Sequence, residues 1–185
     1  MNKKPKRISR AWSVCLLAIM GIGLWPLSGL WYTAVRAPYL IPDAVAVQTA
    51  GAQALAVDKG QLARYGVVSA AEALDADGHI SGYVLISEQQ GYKSVIRVQS
   101  TFTPDGAHLA GVRVLSQNET EYLGDRIAAE GFTMPFAGRT LPVKLWGSAA
   151  LGSPVDGLSG STISASAVVT AVNNAHAFLR AYLAA

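Results

Sequence analysis

The chain has 185 residues, of which 51% are hydrophobic and 15% charged, and its formal net charge at pH 7 is +3. This length allows a membrane segment and one domain of ordinary size, but not two large domains. Five of the 15 basic residues stand among the first ten positions, so the rest of the chain is slightly acidic. It has no surplus of positive charge with which to bind nucleic acid.

An uncharged apolar stretch, residues 11–35, follows this basic tip. As a helix it would be roughly 37 Å long, which is enough to cross the hydrocarbon core of a bilayer. Basic residues before such a stretch keep the N-terminus in the cytoplasm. We therefore expect a cytoplasmic tip over residues 1–10 and a transmembrane anchor over residues 11–35. The alternative is a cleaved signal peptide, for which Val35-Arg36-Ala37 is a poor cleavage site.

Residues 36–60 are expected to connect the anchor to one extracytoplasmic domain over residues 61–185. Pro38 and Pro42 interrupt the first part of this connection. The alanine-rich stretch Asp43–Val57 is compatible with a helix.

The first half of the predicted domain is rich in β-forming residues. Within Lys93–Thr101, Val95 and Arg97 fall on one face of a strand, while Ile96 and Val98 fall on the other. Short turn signals separate successive runs, which favours an antiparallel meander. The predicted strands are Tyr65–Ala71, Ile80–Ser87, Ser94–Thr103 and Leu109–Ser116.

Helical signals dominate the second half of the domain. We expect a short helix over Glu121–Ala129, a further strand over Leu141–Trp146 and an amphipathic helix over Ile163–Leu183. The apolar residues of that last helix recur at the spacing of one helical face. An antiparallel sheet covered by helices, an α+β fold, is the predicted architecture.

Cysteine and histidine usage argues against a metal centre. Cys15, the single cysteine, lies in the apolar stretch, so the chain has no internal disulfide and no C-x-x-C motif. His79, His108 and His176 are far apart, and none has a partner at ligand spacing. We predict no metal site, so any electron carrier in this protein would be organic.

The segment 156–164, DGLSGSTIS, stands immediately before the predicted last helix and carries four hydroxyls within six residues. Free amides and the helix dipole make such a position suited to a phosphate. One alternative is an ordinary turn in which Ser161 or Thr162 caps the helix. Another is a serine hydrolase with Ser159 as nucleophile, although Ser161 stands where the nucleophile elbow requires glycine.

The segment resembles the D-x-x-[ST]-G-A-T motif at which flavin transferases of the ApbE type attach FMN to threonine. The resemblance implies a phosphoester between FMN and Thr162, with Asp156, Ser159 and Gly160 in the turn that the transferase recognises. Ser161 stands where the motif has alanine, which places a second hydroxyl beside the acceptor.

Further segments extend the resemblance over roughly residues 78–178. Gly91-Tyr92-Lys93-Ser94 resembles a G-Y-x-G segment, residues 109–114 resemble a G-V-x-V strand, and residues 118–125, NETEYLGD, resemble an E-T-P-G-L-G-D turn. Glu121-Tyr122 replaces Pro-Gly in that turn. Together these segments resemble the FMN-binding domain family, which includes the G subunit of the Rnf ion-translocating electron transport complex and the C subunit of the sodium-pumping NADH:quinone reductase.

The resemblance implies further flavin contacts, and it assigns no catalytic residue. Glu119 and Glu121 are expected to be solvated turn residues rather than an acid/base pair. The expected contacts are Tyr92, Glu119, Thr120, Leu123 and Gly124.

By this resemblance the protein is an electron-transfer subunit with covalent FMN in a membrane-bound oxidoreductase complex, and not a catalyst on its own. Its location would be the bacterial inner membrane, with a periplasmic domain. The implied partners are other membrane subunits, membrane lipid and a flavin transferase. Alternatives are a stand-alone FMN carrier, or an anchored scaffold that has lost the flavin.

Overall fold

The computed structural model describes residues 51–185. The predicted cytoplasmic tip, the predicted anchor and most of the predicted connection lie outside the described residues. Within residues 51–185, no helix combines the length and apolarity that crossing a membrane requires.

A five-stranded antiparallel sheet forms the centre of the domain, with its strands side by side in chain order. The four predicted strands are confirmed with small shifts at their ends. The strands are β1 (Gly51–Ala54), β2 (Val67–Leu74), β3 (Ile80–Gln90), β4 (Val95–Phe102) and β5 (Leu109–Ser116).

The expectation of a helix within Asp43–Val57 is wrong for residues 51–54, because these residues form β1. This strand pairs with β2 in the register Gly51 with Leu74 and Ala54 with Ala71. Pairing along the free edge of β2 outweighs the weak helical preference of a four-residue alanine-containing segment. A short helix, α1 (Lys59–Arg64), then leads into β2, with Asp58 capping its first turn.

One face of the sheet is buried, as the alternation in β4 predicts. Ile96 and Val98 are fully buried, whereas Val95 on the opposite face is half exposed. The long helix α3 (Thr162–Leu183) covers the buried face and contacts β3 and β4. Ser87 of β3 donates its hydroxyl to the carbonyl of Ala171 in α3 at 3.0 Å, which fixes the height of the helix over the sheet.

The predicted amphipathic helix is confirmed almost to the residue. Val168, Val172, Ala175 and Leu179 are fully buried, as the spacing of the apolar positions requires. This face gives the sheet its hydrophobic cover. The first turn of α3 lies near the β3–β4 turn and the turn that follows β5, since residues of all three line one cavity.

Irregular structure connects β5 to the rest of the fold where a helix over Glu121–Ala129 was expected. The chain instead forms a 3-10 turn over Gly124–Ala128, a single helical turn α2 (Glu130–Thr133) and a second 3-10 turn over Met134–Phe136. Ile127, Phe132 and Phe136 are buried here and close one end of the core.

Two short parallel strands precede the last helix. The strand expected over Leu141–Trp146 is confirmed as β6 (Val143–Leu145), which pairs with β7 (Ser153–Val155). Asn173 of α3 accepts from the amide of Val143 at 2.9 Å and donates to its carbonyl at 2.8 Å. This tie fixes β6 against α3, close to the segment that begins the helix.

Candidate functional site

Three separate segments meet at the N-terminus of α3 and enclose a cavity of about 520 Å³. They are the β3–β4 turn at residues 91–94, the turn at residues 117–124 and the start of α3 at residues 160–164. No side chain that lines the cavity carries a charge. The lining residues are Tyr92, Thr120, Leu123, Gly124, Gly160, Ser161, Thr162, Ile163 and Ser164.

Most of the predicted flavin contacts are brought together in this cavity, although they come from motifs up to 70 positions apart in the chain. Ser159 and Asp156 do not line it and lie exposed on the approach to α3. Ile163 and Ser164 also line it, and neither was predicted as a contact because the motif ends at Thr162. Their signal in the sequence is their position in the first turn of the helix.

Ser161 holds the N-cap position of α3, but its side chain caps nothing. The residue is only 5% exposed, and its hydroxyl oxygen is buried without a hydrogen-bond partner in the described structure. The alternative of an ordinary capped turn therefore does not describe this segment. Because the first amides of a helix have no partner within it, the head of α3 can donate to an anion.

Thr162 is the first residue of α3 and lies exposed between two cavities. It lines the 520 Å³ cavity and also a second cavity of about 620 Å³ on the side of β6. Lys144 and Trp146 line that second cavity, and 74% of Trp146 is exposed. Thr162 is thus exposed to a reacting group, whereas the hydroxyl oxygen of its neighbour Ser161 is buried.

Glu119 lies behind the cavity lining, and the expectation that it is a solvated turn residue is wrong. It is 5% exposed and accepts hydrogen bonds from two segments that are distant in the chain. The amides of Tyr92, Lys93 and Ser94 donate to it at 3.0, 3.0 and 2.8 Å. The hydroxyls of Ser94 and Ser164 donate to it at 2.9 and 2.5 Å.

These donors keep Glu119 ionised. Burial by itself raises the pKa of the carboxyl, but the hydrogen bonds from Ser164, Ser94 and Lys93 outweigh that effect and lower the pKa to about 2. Glu121, two residues away, is exposed as expected. The two carboxylates therefore occupy different environments and do not form an acid/base pair.

Two glycines allow the close approach on which the Glu119 site depends. A Cβ on Gly91 would lie 2.8 Å from Oε1 of Glu119, and a Cβ on Gly124 would lie 2.7 Å from the Cβ of Glu119. Both distances are too short for a side chain. Glycine is needed at these points because backbone packs directly against the buried glutamate.

The histidines occupy three different settings. His79 is exposed, His108 is half-buried, and His176 is buried with its ring stacked on Phe102. Burial lowers the pKa of His176.

The expectation that no histidine has a partner at ligand spacing is wrong for His79. Ligand atoms of Asp75, Asp77 and His79 lie within 4.8 Å of one another. Asp75 accepts hydrogen bonds from the amides of Asp77 and His79, both at 2.9 Å. Its carboxylate therefore stabilises the exposed β2–β3 turn through these bonds.

For the hydrolase alternative, Ser159 would need a catalytic base, and the described structure places none in contact with its hydroxyl. Ser159 is exposed, and in the described part of the chain its hydroxyl makes no hydrogen bond with a histidine or a carboxylate. A serine nucleophile requires such a base within hydrogen-bond reach.

Comparison with known proteins agrees with this geometry. The family model of the FMN-binding domain matches residues 91–177, a range that includes every residue lining the 520 Å³ cavity. The G subunit of the ion-translocating oxidoreductase complex of Methanosarcina acetivorans is 33% identical over 104 residues, which are 56% of this chain and 54% of the relative. The chain thus spans about half the length of that relative.

Two solved structures share the fold. NqrC from Shewanella oneidensis superposes with a TM-score of 0.55 at 22% identity, covering 63% of this chain and 61% of NqrC. The C subunit of the Na⁺-translocating NADH-quinone reductase from Parabacteroides distasonis superposes with a TM-score of 0.56 at 21% identity, covering 74% of this chain and 79% of that protein. The α+β fold and the resemblance to the FMN-binding domain family are both confirmed.

Proposed function

We propose that the protein is the FMN-carrying electron-transfer subunit of a membrane-bound, ion-translocating oxidoreductase complex of the Rnf type. In this proposal the flavin is attached through a phosphoester to Thr162. The observation that carries the proposal is the exposed residue Thr162, which stands at the head of a 22-residue helix without a side-chain cap and lines an uncharged cavity. The similarity to the G subunit of an ion-translocating oxidoreductase complex supports the assignment to such a complex.

The residues at this position suit the phosphate of FMN. The buried hydroxyl of Ser161 has no partner in the described structure, and a phosphate oxygen would satisfy it. The free amides of the first turn of α3 supply further donors. Gly160, with a φ of +79°, turns the chain sharply before the helix and leaves the approach to Thr162 open.

The remaining cavity residues suit a flat, largely apolar ring system. Tyr92, Leu123 and Ile163 are 69%, 44% and 57% exposed, and all three line the cavity. Such exposed apolar side chains at a rim indicate that a ligand or a partner covers them. When bound, FMN supplies one- and two-electron transfer chemistry that the side chains lack.

The ester forms between Oγ of Thr162 and the phosphorus of FMN, with net loss of water. With an activated FMN donor, the hydroxyl loses its proton and the bond between the FMN phosphorus and the bridging oxygen of the activating group breaks, so that this group leaves. A flavin transferase of the ApbE type would supply the activated donor, and Asp156 and Ser159, exposed before the helix, are available for it to recognise. Covalent attachment suits an extracytoplasmic domain because an unattached cofactor would diffuse away.

The proposed setting of the domain follows from the sequence. Residues 11–35 would anchor it in the inner membrane, in contact with lipid, with residues 1–10 in the cytoplasm and the domain in the periplasm. Other membrane subunits of the complex would exchange electrons with the flavin.

The test is the intact mass of the protein purified after co-expression with a flavin transferase, followed by peptide mapping. We expect an increment equal to FMN minus water on the peptide that carries Thr162, and no increment in Thr162→Ala. The matched control, Ser161→Ala, should keep the increment. An unmodified mass, with the transferase active on a control substrate, would reject covalent attachment and favour a scaffold; an increment on Ser161 would correct the site.

A further inference from the structure

The ionised carboxylate of Glu119 is close to the head of α3, where the proposed phosphate would lie. Its Oε2 accepts from the hydroxyl of Ser164, the third residue of the helix, at 2.5 Å. Ser164 itself lines the cavity, so the negative charge lies one hydrogen bond behind the cavity wall.

No cation in the described structure balances this charge. Arg97 pairs with Glu88 and His79 contacts Asp75 there, and Glu119 takes part in neither contact. The cavity lining is uncharged. Lys93 contributes only its backbone amide to the carboxylate, and its side chain lies on the exposed side of the turn. The carboxylate is stabilised by five hydrogen-bond donors and by the positive end of the α3 dipole.

A negative charge at the N-terminus of a helix reduces the attraction of that terminus for a second anion. The phosphate of free FMN is a monoester with a charge of about −1.5 to −2 at pH 7. Attachment to Thr162 converts it to a diester, which carries a single negative charge. Repulsion by Glu119 is therefore stronger for the free cofactor than for the attached one.

We propose that Glu119 acts as a built-in anion at the head of α3, so that the site disfavours free FMN and holds the flavin through its bond to Thr162. This inference rests on the proposed function. It gives Glu119 a role beyond holding the cavity walls together.

The two roles of Glu119 predict opposite effects on binding. If the residue only holds the walls, its replacement loosens the cavity and weakens the binding of every flavin. If its charge repels phosphate, replacement by the uncharged Gln strengthens the binding of FMN. Riboflavin, which has the same ring system and no phosphate, would gain nothing.

The experiment measures the affinities of FMN and riboflavin by quenching of flavin fluorescence, on full-length protein made without a transferase. The background is Thr162→Ala, and Glu119→Gln is added to it. We expect the affinity for FMN to rise by about three- to tenfold relative to the affinity for riboflavin, since any loosening of the walls acts on both flavins. The matched control is Thr162→Ala with Glu121→Gln, which removes a charge two residues away on the exposed side and should leave both affinities unchanged.

Equal weakening of FMN and riboflavin by Glu119→Gln would overturn the proposal and leave the residue a purely structural role. An absence of measurable FMN binding after the substitution would also overturn it. These results do not depend on whether Thr162 accepts FMN in co-expression, so failure of the inference is distinguishable from failure of the proposed function.

A second measurement needs no substitution at Glu119 and decides the question if that variant does not fold. In the Thr162→Ala protein, FMN should bind no more tightly than riboflavin, because Glu119 offsets the attraction of α3 for the phosphate. An FMN affinity more than about tenfold above that of riboflavin would show an unopposed phosphate site and would overturn the proposal.

Discussion

Two turns of this domain are each built around a carboxylate that accepts backbone amides, yet they differ in what the carboxylate connects. Asp75 accepts from Asp77 and His79, two and four residues away, on an exposed turn. Glu119 accepts from donors 25 to 45 positions away, and it is buried. A carboxylate with local donors shapes its own turn, whereas one with distant donors joins separate segments and so builds a site.

The largest difference between the two turns is expected when the charge of Glu119 or of Asp75 is removed by substitution. Glu119→Gln replaces an acceptor of five hydrogen bonds with a group that cannot satisfy all of them, and we expect a loss of about 3 kcal/mol in the free energy of unfolding. Asp75→Asn, the matched change in the exposed turn, should shift the urea midpoint only slightly. Equal midpoints for the two variants would contradict the distinction between the turns.

The second-largest effect is expected in the pH dependence of the free energy of unfolding, which reports the ionisation of Glu119. The pKa of Glu119 is lowered from 4.5 to about 2 on folding, so its ionisation stabilises the fold fully above pH 4.5. That contribution, about 3 kcal/mol from the size of the shift, is lost as the pH falls from about 4.5 to 2. The measurement is urea unfolding across that range. In Glu119→Gln the corresponding slope should be missing, and if wild type and variant keep a constant difference, the carboxylate is not the group that titrates.

Substitution of a glycine beside Glu119 tests whether the close approach of the backbone to this residue is needed for stability. In Gly124→Ala the new methyl group would meet the Cβ of Glu119 at 2.7 Å and the hydroxyl of Ser164 at 2.8 Å. We expect a loss of about 1 to 3 kcal/mol from overpacking. Gly131→Ala, which meets nothing within 4 Å, is the control and should be neutral or slightly stabilising. Thermal unfolding of both variants provides the measurement.

The smallest effect is expected at Tyr122, in the same turn as Glu119. This residue is 79% exposed and adopts a φ of +61°, a conformation that favours glycine. Tyr122→Gly should relieve the strain, offset in part by the greater freedom of glycine in the unfolded chain, for a net gain below about 1 kcal/mol. Tyr92→Gly, at an exposed tyrosine without positive φ, should show no such gain; a loss of stability at both positions would refute the strain argument.

The periodic spacing of apolar residues in the sequence correctly predicted the main strands and the long helix of the fold. Alternation in β4 and the spacing of Val168, Val172 and Leu179 in α3 were confirmed, because each depends only on which face of one element is buried. The motif at residues 156–162 was placed correctly before a helix because the apolar spacing of that helix begins directly after it. β1 was missed because a four-residue strand depends on a partner edge, which a single segment does not reveal.

The sequence by itself determined strands β2 to β5 in their order, the long last helix with Thr162 at its head, and the resemblance that points to FMN. Only the tertiary structure decided that Ser161 is buried and unpaired while Thr162 is exposed, and that Glu119 is enclosed and ionised. The physical reason is that burial and hydrogen bonding at this site depend on three segments far apart in the chain. Their approach is set by the packing of α3 on the sheet and is not encoded in any one of them.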